Sequence, residues 1–351
     1  MLYEIEQYSK QLLNEAVKMK VTDLHFIPEE EFFLVLYRLN GRIESWRRLP
    51  LKMAERLISH FKYRSGMDIG ERRKPQSASM VHEKKGLVYS LRLSTLPTRN
   101  KESLVIRLLP NFTTQSLSTL SIIPNKSKIL HSVSSLTHGL CLLSGPTGSG
   151  KTTTLYTIVD QIIQEGGKSV ISIEDPVERY IPNSIQVEVN PKNGMTFDAI
   201  LKASLRHDPD VILIGEIRDE ETAALSIRAS LTGHVVLATV HSDSCFSALM
   251  RMLDLGVSRF DLIECCKIVL SQRIITTKCS LCERMCHPFC ERERHMSRAA
   301  LYEVLKGDAL RQSITNEKRL IDHPFVLEAK KAWALGYIEE KEVLKFVSNS
   351  F

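Results

Sequence analysis

Eight residues constrain this chain more than any others. Gly145-Pro146-Thr147-Gly148-Ser149-Gly150-Lys151-Thr152 fits the pattern G-x-x-x-x-G-K-[ST] without a mismatch. The pattern carries meaning only between a strand and a helix, and the flanks supply both. Residues 139–143 form an apolar run of strand length, and residues 152–165 have helical periodicity. Glycines let successive backbone N–H groups turn toward an anion. Lys151 is then placed to reach the β- and γ-phosphates of a nucleoside triphosphate, and the Thr152 hydroxyl to hold Mg²⁺. The positive end of the helix faces the same anion. The spacing therefore predicts an α/β domain organised around a phosphate cradle for ATP.

Residues downstream alternate between strand and helix. Strands are expected at 169–173, 211–214 and 235–240, with a helix at 219–230. Residues 185–189 alternate like an antiparallel or edge strand. The first of these strands runs into Glu174-Asp175, the second into Gly215-Glu216 and the third into His241. Polar residues at the C-terminal ends of buried strands mark the functional edge of an open α/β sheet. Rapid hydrolysis needs a group that orients the attacking water, and Glu216 is expected to be that group. The alternative is a surface glutamate capping the next helix. Glu174 and Asp175 are expected to order Mg²⁺-bound water or to hold a catalytic arginine, the alternative being a plain Asp175-Pro176 turn. His234 and His241 flank the third strand. His241, at the active edge, reads as a nucleotide sensor, with a satisfied structural histidine as the alternative.

The first 110 residues have a different texture. Residues 4–19 are amphipathic at helical spacing, 32–38 read as a strand, Asn40-Gly41 as a hairpin turn, 53–63 as a helix, and 86–93 and 103–109 as two further strands. This is the pattern of a small α+β domain. The Pro-led polar stretch from Pro110 to Ser116 reads as linker.

Hydrophobic residues make up 43% of the 351 and charged residues 25%, so the chain is globular and long enough for large cores. No apolar run reaches the ~18 residues that span a bilayer, and the acidic start has no signal-peptide character. The chain reads as cytosolic, with any membrane association peripheral. The net charge of +6 permits contact with acidic lipid or nucleic acid and establishes neither. Eight cysteines in a reducing compartment are core residues, reactive thiols or metal ligands. Cys279, Cys282, Cys286 and Cys290 form C-x₂-C-x₃-C-x₃-C, a set suited to tetrahedral Zn²⁺ in a structural role, with His287 or His295 as substitute ligands. A redox cluster and simple packing are the alternatives. Cys265 and Cys266, in an apolar helical pattern, and Cys141 and Cys245 read as buried packing.

Several motifs in order resemble the secretion ATPase superfamily, the hexameric motors of type II secretion and type IV pilus assembly. Besides the phosphate loop, 173–178 (Ile-Glu-Asp-Pro-Val-Glu) looks like its Asp box. Residues 213–219 (Leu-Ile-Gly-Glu-Ile-Arg-Asp) look like its atypical Walker B motif, and 232–241 like its His box. In the first domain, Thr22-Asp23-Leu24-His25, Arg73-Lys74-Pro75-Gln76 and 92–98 match as well, so the resemblance spans roughly residues 20–275. It implies an α/β fold: a RecA-like P-loop NTPase domain at 125–351, with the cysteine cluster at 279–290 and a helical C-terminal region. A small α+β, PAS-like domain at 1–109 precedes it, joined by a linker at 110–124. It also implies that Arg92 and Arg107 reach the nucleotide from the small domain, the alternative being two surface arginines on a sheet. Arg206 and Arg218 are weaker candidates for that work.

The implied partners are a homohexamer, a polytopic inner-membrane platform protein and pseudopilin machinery, with no direct nucleic-acid contact. The implied location is the cytoplasm, at the inner face of the cell membrane. The start close to Asp23–His25, without a platform-docking domain, and the compact cysteines resemble most the traffic ATPases of Gram-positive competence pseudopili, which serve DNA uptake. Other type II secretion or pilus assembly motors, a RecA-like DNA-stimulated ATPase and a nucleotide-binding scaffold are the alternatives.

Overall fold

The computed structural model describes residues 2–39, 42–84, 86–99, 101–110, 116–279, 281–282, 290 and 298–348. The chain divides into two compact units, Met1–Thr113 with Glu178–Tyr180, and Thr114–Val177 with Ile181–Phe351.

The first unit is a six-stranded antiparallel sheet with two helices. Its elements are α1 (Leu2–Lys18), β1 (Asp23–Pro28), β2 (Phe32–Leu39), β3 (Arg42–Pro50), α2 (Leu51–Arg64), β4 (Gln76–Lys84), β5 (Leu87–Pro97) and β6 (Glu102–Pro110). The strand order is β3-β2-β1-β6-β5-β4. Alternation drives it: Phe33, Val35, Leu91, Leu93, Leu104 and Ile106 are at most 1% exposed, while Leu34, Ser94, Ser103 and Val105 beside them are partly or fully exposed. Leu12, Leu13 and Ala16 of α1 and Leu57 and Phe61 of α2 close the same core. Lys62 and Glu102 are buried together at 2.9 Å, and the ammonium also donates to Glu71 O at 2.7 Å. A buried charge pair is tolerable when its spare donors are satisfied in this way. The Asn40-Gly41 turn lies outside the described residues.

The second unit is doubly wound. It contains α3 (Leu117–Leu120), α4 (Pro124–Ser134), β7 (Gly139–Ser144), α5 (Lys151–Glu165), β8 (Val170–Glu174), β9 (Ile185–Glu188), α6 (Phe197–Ser204), β10 (Val211–Ile214), α7 (Glu220–Leu231), β11 (Val235–Val240), α8 (Cys245–Asp254), α9 (Arg259–Cys265), β12 (Cys266–Thr276), β13 (Arg298–Lys306), α10 (Gly307–Asn316), α11 (Pro324–Ala334) and α12 (Glu340–Ser348). The sheet order is β13-β12-β7-β11-β10-β8-β9. All neighbours are parallel except β12 and β13. Strands β7, β8, β10 and β11 are buried along their whole length, as strands covered on both faces must be. Their side chains split with period two. Leu140, Leu142, Ile212, Ile214, Val236 and Ala238 enter the core formed with α6 to α9. Cys141, Leu143, Val211, Leu213, Val235 and Leu237 enter the core formed with α3, α4 and α5.

The structure differs from the sequence reading at several places. Within the stretch read as linker, Leu117 and Leu120 are buried in the α5 core, and Ile122 and Ile123 in a core with α11. Their apolar side chains, diluted by serines, escaped notice. Strand β9 lies at the sheet edge, as one of the two readings of its alternation has it, and pairs with β8 in parallel. The C-terminal region is not all helical, since β13 extends the sheet. Cys266 begins a strand rather than continuing a helix.

Candidate active site

Strand β7 delivers the chain into the glycine-rich loop, and α5 starts at Lys151. Gly145 has φ +145°, and a Cβ there would lie 2.6 Å from both Gln272 O and Ser149 Oγ. Only glycine lets the backbone turn this tightly against β12. The loop keeps unused polar capacity: Ser149 Oγ is buried without a hydrogen-bond partner among the described residues. Lys151 Nζ lies over the loop, donating to Gly145 O at 2.6 Å and Pro146 O at 3.2 Å. Thr152 is half-buried in the first turn of α5. A sterically enforced turn, an ammonium across it and a helix N-terminus fit the phosphates of a nucleotide.

The acidic side of the site is assembled by adjacent parallel strands. Gly215 stands just past the end of β10, where a side chain would be crowded. A Cβ there would lie 3.3 Å from Glu174 Cα and from Ile173 O of β8. The carboxylate comes one position later, at Glu216. Thr239 of β11 then straps the segment down, its hydroxyl donating to Gly215 O and its carbonyl accepting from Ile217 N at 2.9 Å. The strap brings Glu216 Oε1 to 3.0 Å from His241 Nε2, just past the end of β11. Glu216 Oε2 accepts from Arg218 Nε at 2.7 Å, and Arg218 also lies 3.7 Å from Asp175 Oδ2. Glu216 and His241, singled out from the sequence, are thus brought together. Arg218, ranked below other arginines there, belongs to the same cluster. The i, i+2 spacing of Glu216 and Arg218 gave no sign of it, because outside a helix such a pair meets only if the backbone is held.

Glu174 pairs with groups on α5 and β9. It is the last residue of β8 and 4% exposed. Its carboxylate accepts from Tyr156 OH of α5 and from Gln186 Nε2 at 3.4 Å, so it braces the helix behind the phosphate loop. His234 sits at the opposite end of β11, where Nδ1 lies 3.0 Å from Ala229 O at the close of α7. Arg92 and Arg107 belong to the first unit and face each other across β5 and β6. Arg92 lies 3.7 Å from Glu178, which clusters with the same unit. Arg107 Nε donates to Asp23 Oδ1 at 2.8 Å. Burial raises the Asp23 pKa, but the hydrogen bonds from Arg107 and Thr22 outweigh it and hold the carboxyl below its usual range.

The cysteines fall into two groups. Burial pushes the Cys141 and Cys265 thiols up to about 12 and raises Cys245 and Cys266 well above the usual value, so these four stay protonated and act as packing. The Sγ atoms of Cys279, Cys282 and Cys290 lie within 4.8 Å of one another. Thiolates around one Zn²⁺ at about 2.3 Å are separated by a little under 4 Å, so this set can close on the ion with small shifts. Cys286, His287 and His295 lie outside the described residues.

The glycine turn under a lysine, with a carboxylate–histidine pair on the neighbouring strand ends, defines the class of P-loop ATPases. Comparison with known proteins narrows the class. The sequence profile described as "Type II/IV secretion system protein" matches residues 2–335. Competence protein ComGA of Halalkalibacterium halodurans is 44% identical over 96% of this chain and 97% of its own length. That of Bacillus subtilis is 42% identical over 90% of this chain and 88% of its own. The crystal structure of the pilus retraction motor PilT with bound ADP superposes with a TM-score of 0.75, at 25% identity, over 96% of each chain. The chain belongs to the type II/IV secretion system protein family, and it is an ATPase. No helix among the described residues is long and apolar enough to cross a membrane.

Proposed function

We propose that this protein is the motor that powers assembly of a competence pseudopilus, the fibre machinery of DNA uptake. The match to a competence protein over 97% of that protein's length carries the reading, because it includes the small first unit and the C-terminal region as well as the shared nucleotide domain. The second unit acts as the RecA-like ATPase domain and the first as the PAS-like domain that moves against it.

ATP phosphates lie in the 145–152 loop, with Lys151 on the β- and γ-phosphates. Thr152 would hold Mg²⁺, which offsets phosphate charge. Glu216 orients water for in-line attack on the γ-phosphate. His241, 3.0 Å from one oxygen of Glu216, and Arg218, which donates to the other, fix that carboxylate and sense the phosphate. Glu174 supports α5 through Tyr156. Arg92 and Arg107 supply permanent positive charge to the transferred phosphoryl group from the small domain. Motion of the small domain, repeated around a homohexamer, converts hydrolysis into work on a polytopic inner-membrane platform protein that adds pseudopilins to the fibre. The motor works from the cytoplasm and makes no direct contact with nucleic acid.

The test is a deletion of the gene with transformation, protein export and surface motility assayed side by side. Transformation should be lost and the other two retained. Normal transformation refutes the competence reading and leaves the ATPase intact.

Cys279, Cys282 and Cys290, with Cys286, would hold Zn²⁺ as a structural ion closing the segment between β12 and β13. Native mass spectrometry should find one zinc per chain, lost in Cys279→Ser/Cys282→Ser. A metal-free wild-type chain purified without chelator overturns the assignment.

A further inference from the structure

The segment that follows His241 is held more firmly than a loop at a strand end requires. Arg273 Nη2 of β12 donates to Asp243 O at 2.8 Å and lies 3.2 Å from Asp243 Oδ1. Arg319 Nη2 donates to Ser244 Oγ at 3.3 Å. Ser144, the last residue before the phosphate loop, donates from Oγ to Ser244 O at 3.4 Å. The backbone N–H of Cys245 donates to Glu303 Oε2 of β13 at 2.9 Å, and Cys245 Sγ to Glu303 O at 3.4 Å. Residues 243–245 thus cross the C-terminal edge of the sheet from β11 to β13, tied to β7, β12 and β13 on the way.

Glu303 is the unusual member. It is 6% exposed, and a carboxylate so deep costs free energy unless something compensates. Burial pushes its pKa up, against the Cys245 N–H and the charge of Arg319, which favour the anion. It receives the first residue of α8, a helix of 10 residues, so the positive helix end adds to the compensation. Arg273 is itself largely buried, with its guanidinium 4.8 Å from the ring centroid of Phe325 in α11. Among the described residues, neither makes a hydrogen bond or ion pair with a phosphate-loop side chain.

We infer that Glu303, with Arg273, is a positioning residue for hydrolysis: it anchors residues 243–245 and thereby fixes His241 against Glu216. The inference rests on the assignment of Glu216 and His241 to the hydrolytic site. Displacing a catalytic group by about 1 Å can cost on the order of 100-fold in rate. The anchor lies on the far side of the P-loop strand from His241, so it governs geometry for the chemical step rather than nucleotide affinity.

Glu303→Leu should lower kcat for ATP by about 10- to 100-fold, while Kd for a fluorescent ADP analogue stays within about threefold. Glu303→Gln keeps an acceptor for the Cys245 N–H and should restore kcat to within about fivefold of wild type. The separating measurement is a double-mutant cycle with His241→Ala. Because Glu303 acts through His241, the double variant should be no slower than the slower single variant. Losses that multiply, or an unchanged kcat in folded Glu303→Leu, overturn the inference. If Glu303→Leu does not fold, Arg273→Met carries the same cycle with the same two outcomes. Glu216→Gln is run in parallel. Full turnover in that variant refutes the assignment of the hydrolytic site, whereas loss there with normal turnover in Glu303→Leu refutes the anchor alone.

Discussion

Lys151→Ala is expected to abolish useful turnover, lowering kcat/KM for ATP by well over 100-fold. Two effects combine. A charge-assisted hydrogen bond to phosphate contributes about 1.5–3 kcal/mol, so ATP affinity alone should fall roughly 10- to 100-fold. The same ammonium stabilises charge that develops in the transition state, where removing one such donor costs on the order of 10²–10³ in rate. The fold should survive. The two contacts that Lys151 Nζ makes to Gly145 O and Pro146 O lie within the loop itself, and the loop turn is set by Gly145 and β12. Isothermal titration with ATP and a phosphate-release assay check the two parts separately. Affinity within threefold of wild type would mean that the phosphates sit elsewhere.

Glu216→Gln should behave differently, losing turnover while keeping the nucleotide. The amide is isosteric, but it cannot accept a proton from water, and general-base contributions are typically about 10²–10⁴. Glu216 is a half-buried hub with His241 on one oxygen and Arg218 on the other. The substitution therefore also places an NH₂ against either the Arg218 N–H or the His241 ring nitrogen. A kcat loss of about 10²–10³ with ATP affinity held within threefold is the expected result, read by single-turnover kinetics and direct binding. Wild-type turnover in this variant would reduce Glu216 to a surface carboxylate.

How much of this was legible beforehand depended on how each strand is buried. Strands β7, β8, β10 and β11 are covered on both faces, so they appear as unbroken apolar runs between polar ends. Strands β12 and β13 escaped notice because they carry Ser271, Gln272, Arg273 and Glu303 among their apolar residues. Gln272, Arg273 and Glu303 find partners on other elements, whereas Ser271 Oγ is buried without one among the described residues. Thr154 of α5 donates to Gln272 Oε1 at 2.8 Å and lies 2.8 Å from Tyr302 OH. A linear pattern shows the polar residue and not the partner that makes its burial tolerable. The same limit hides the partner of Glu174. A carboxylate at a strand end suggested a site residue, and Tyr156, reaching it from α5, was invisible.

The sequence by itself determined the phosphate chemistry. Residues 145–152 are contiguous, their glycines specify the backbone, and the strand and helix around them are set by local periodicity. It also placed Glu216 and His241 at strand ends. Tertiary structure alone decided that they form a pair, at 3.0 Å. That contact requires β10 and β11 to lie side by side in parallel, Gly215 to pack against β8, and Thr239 to hold residues 215–217 by two backbone contacts. It also decided that β13, from the far end of the chain, anchors the loop behind His241. Spacing along a strand sets which face a side chain takes, but crossover connections choose its neighbours, and those connections are settled only when the whole sheet is packed.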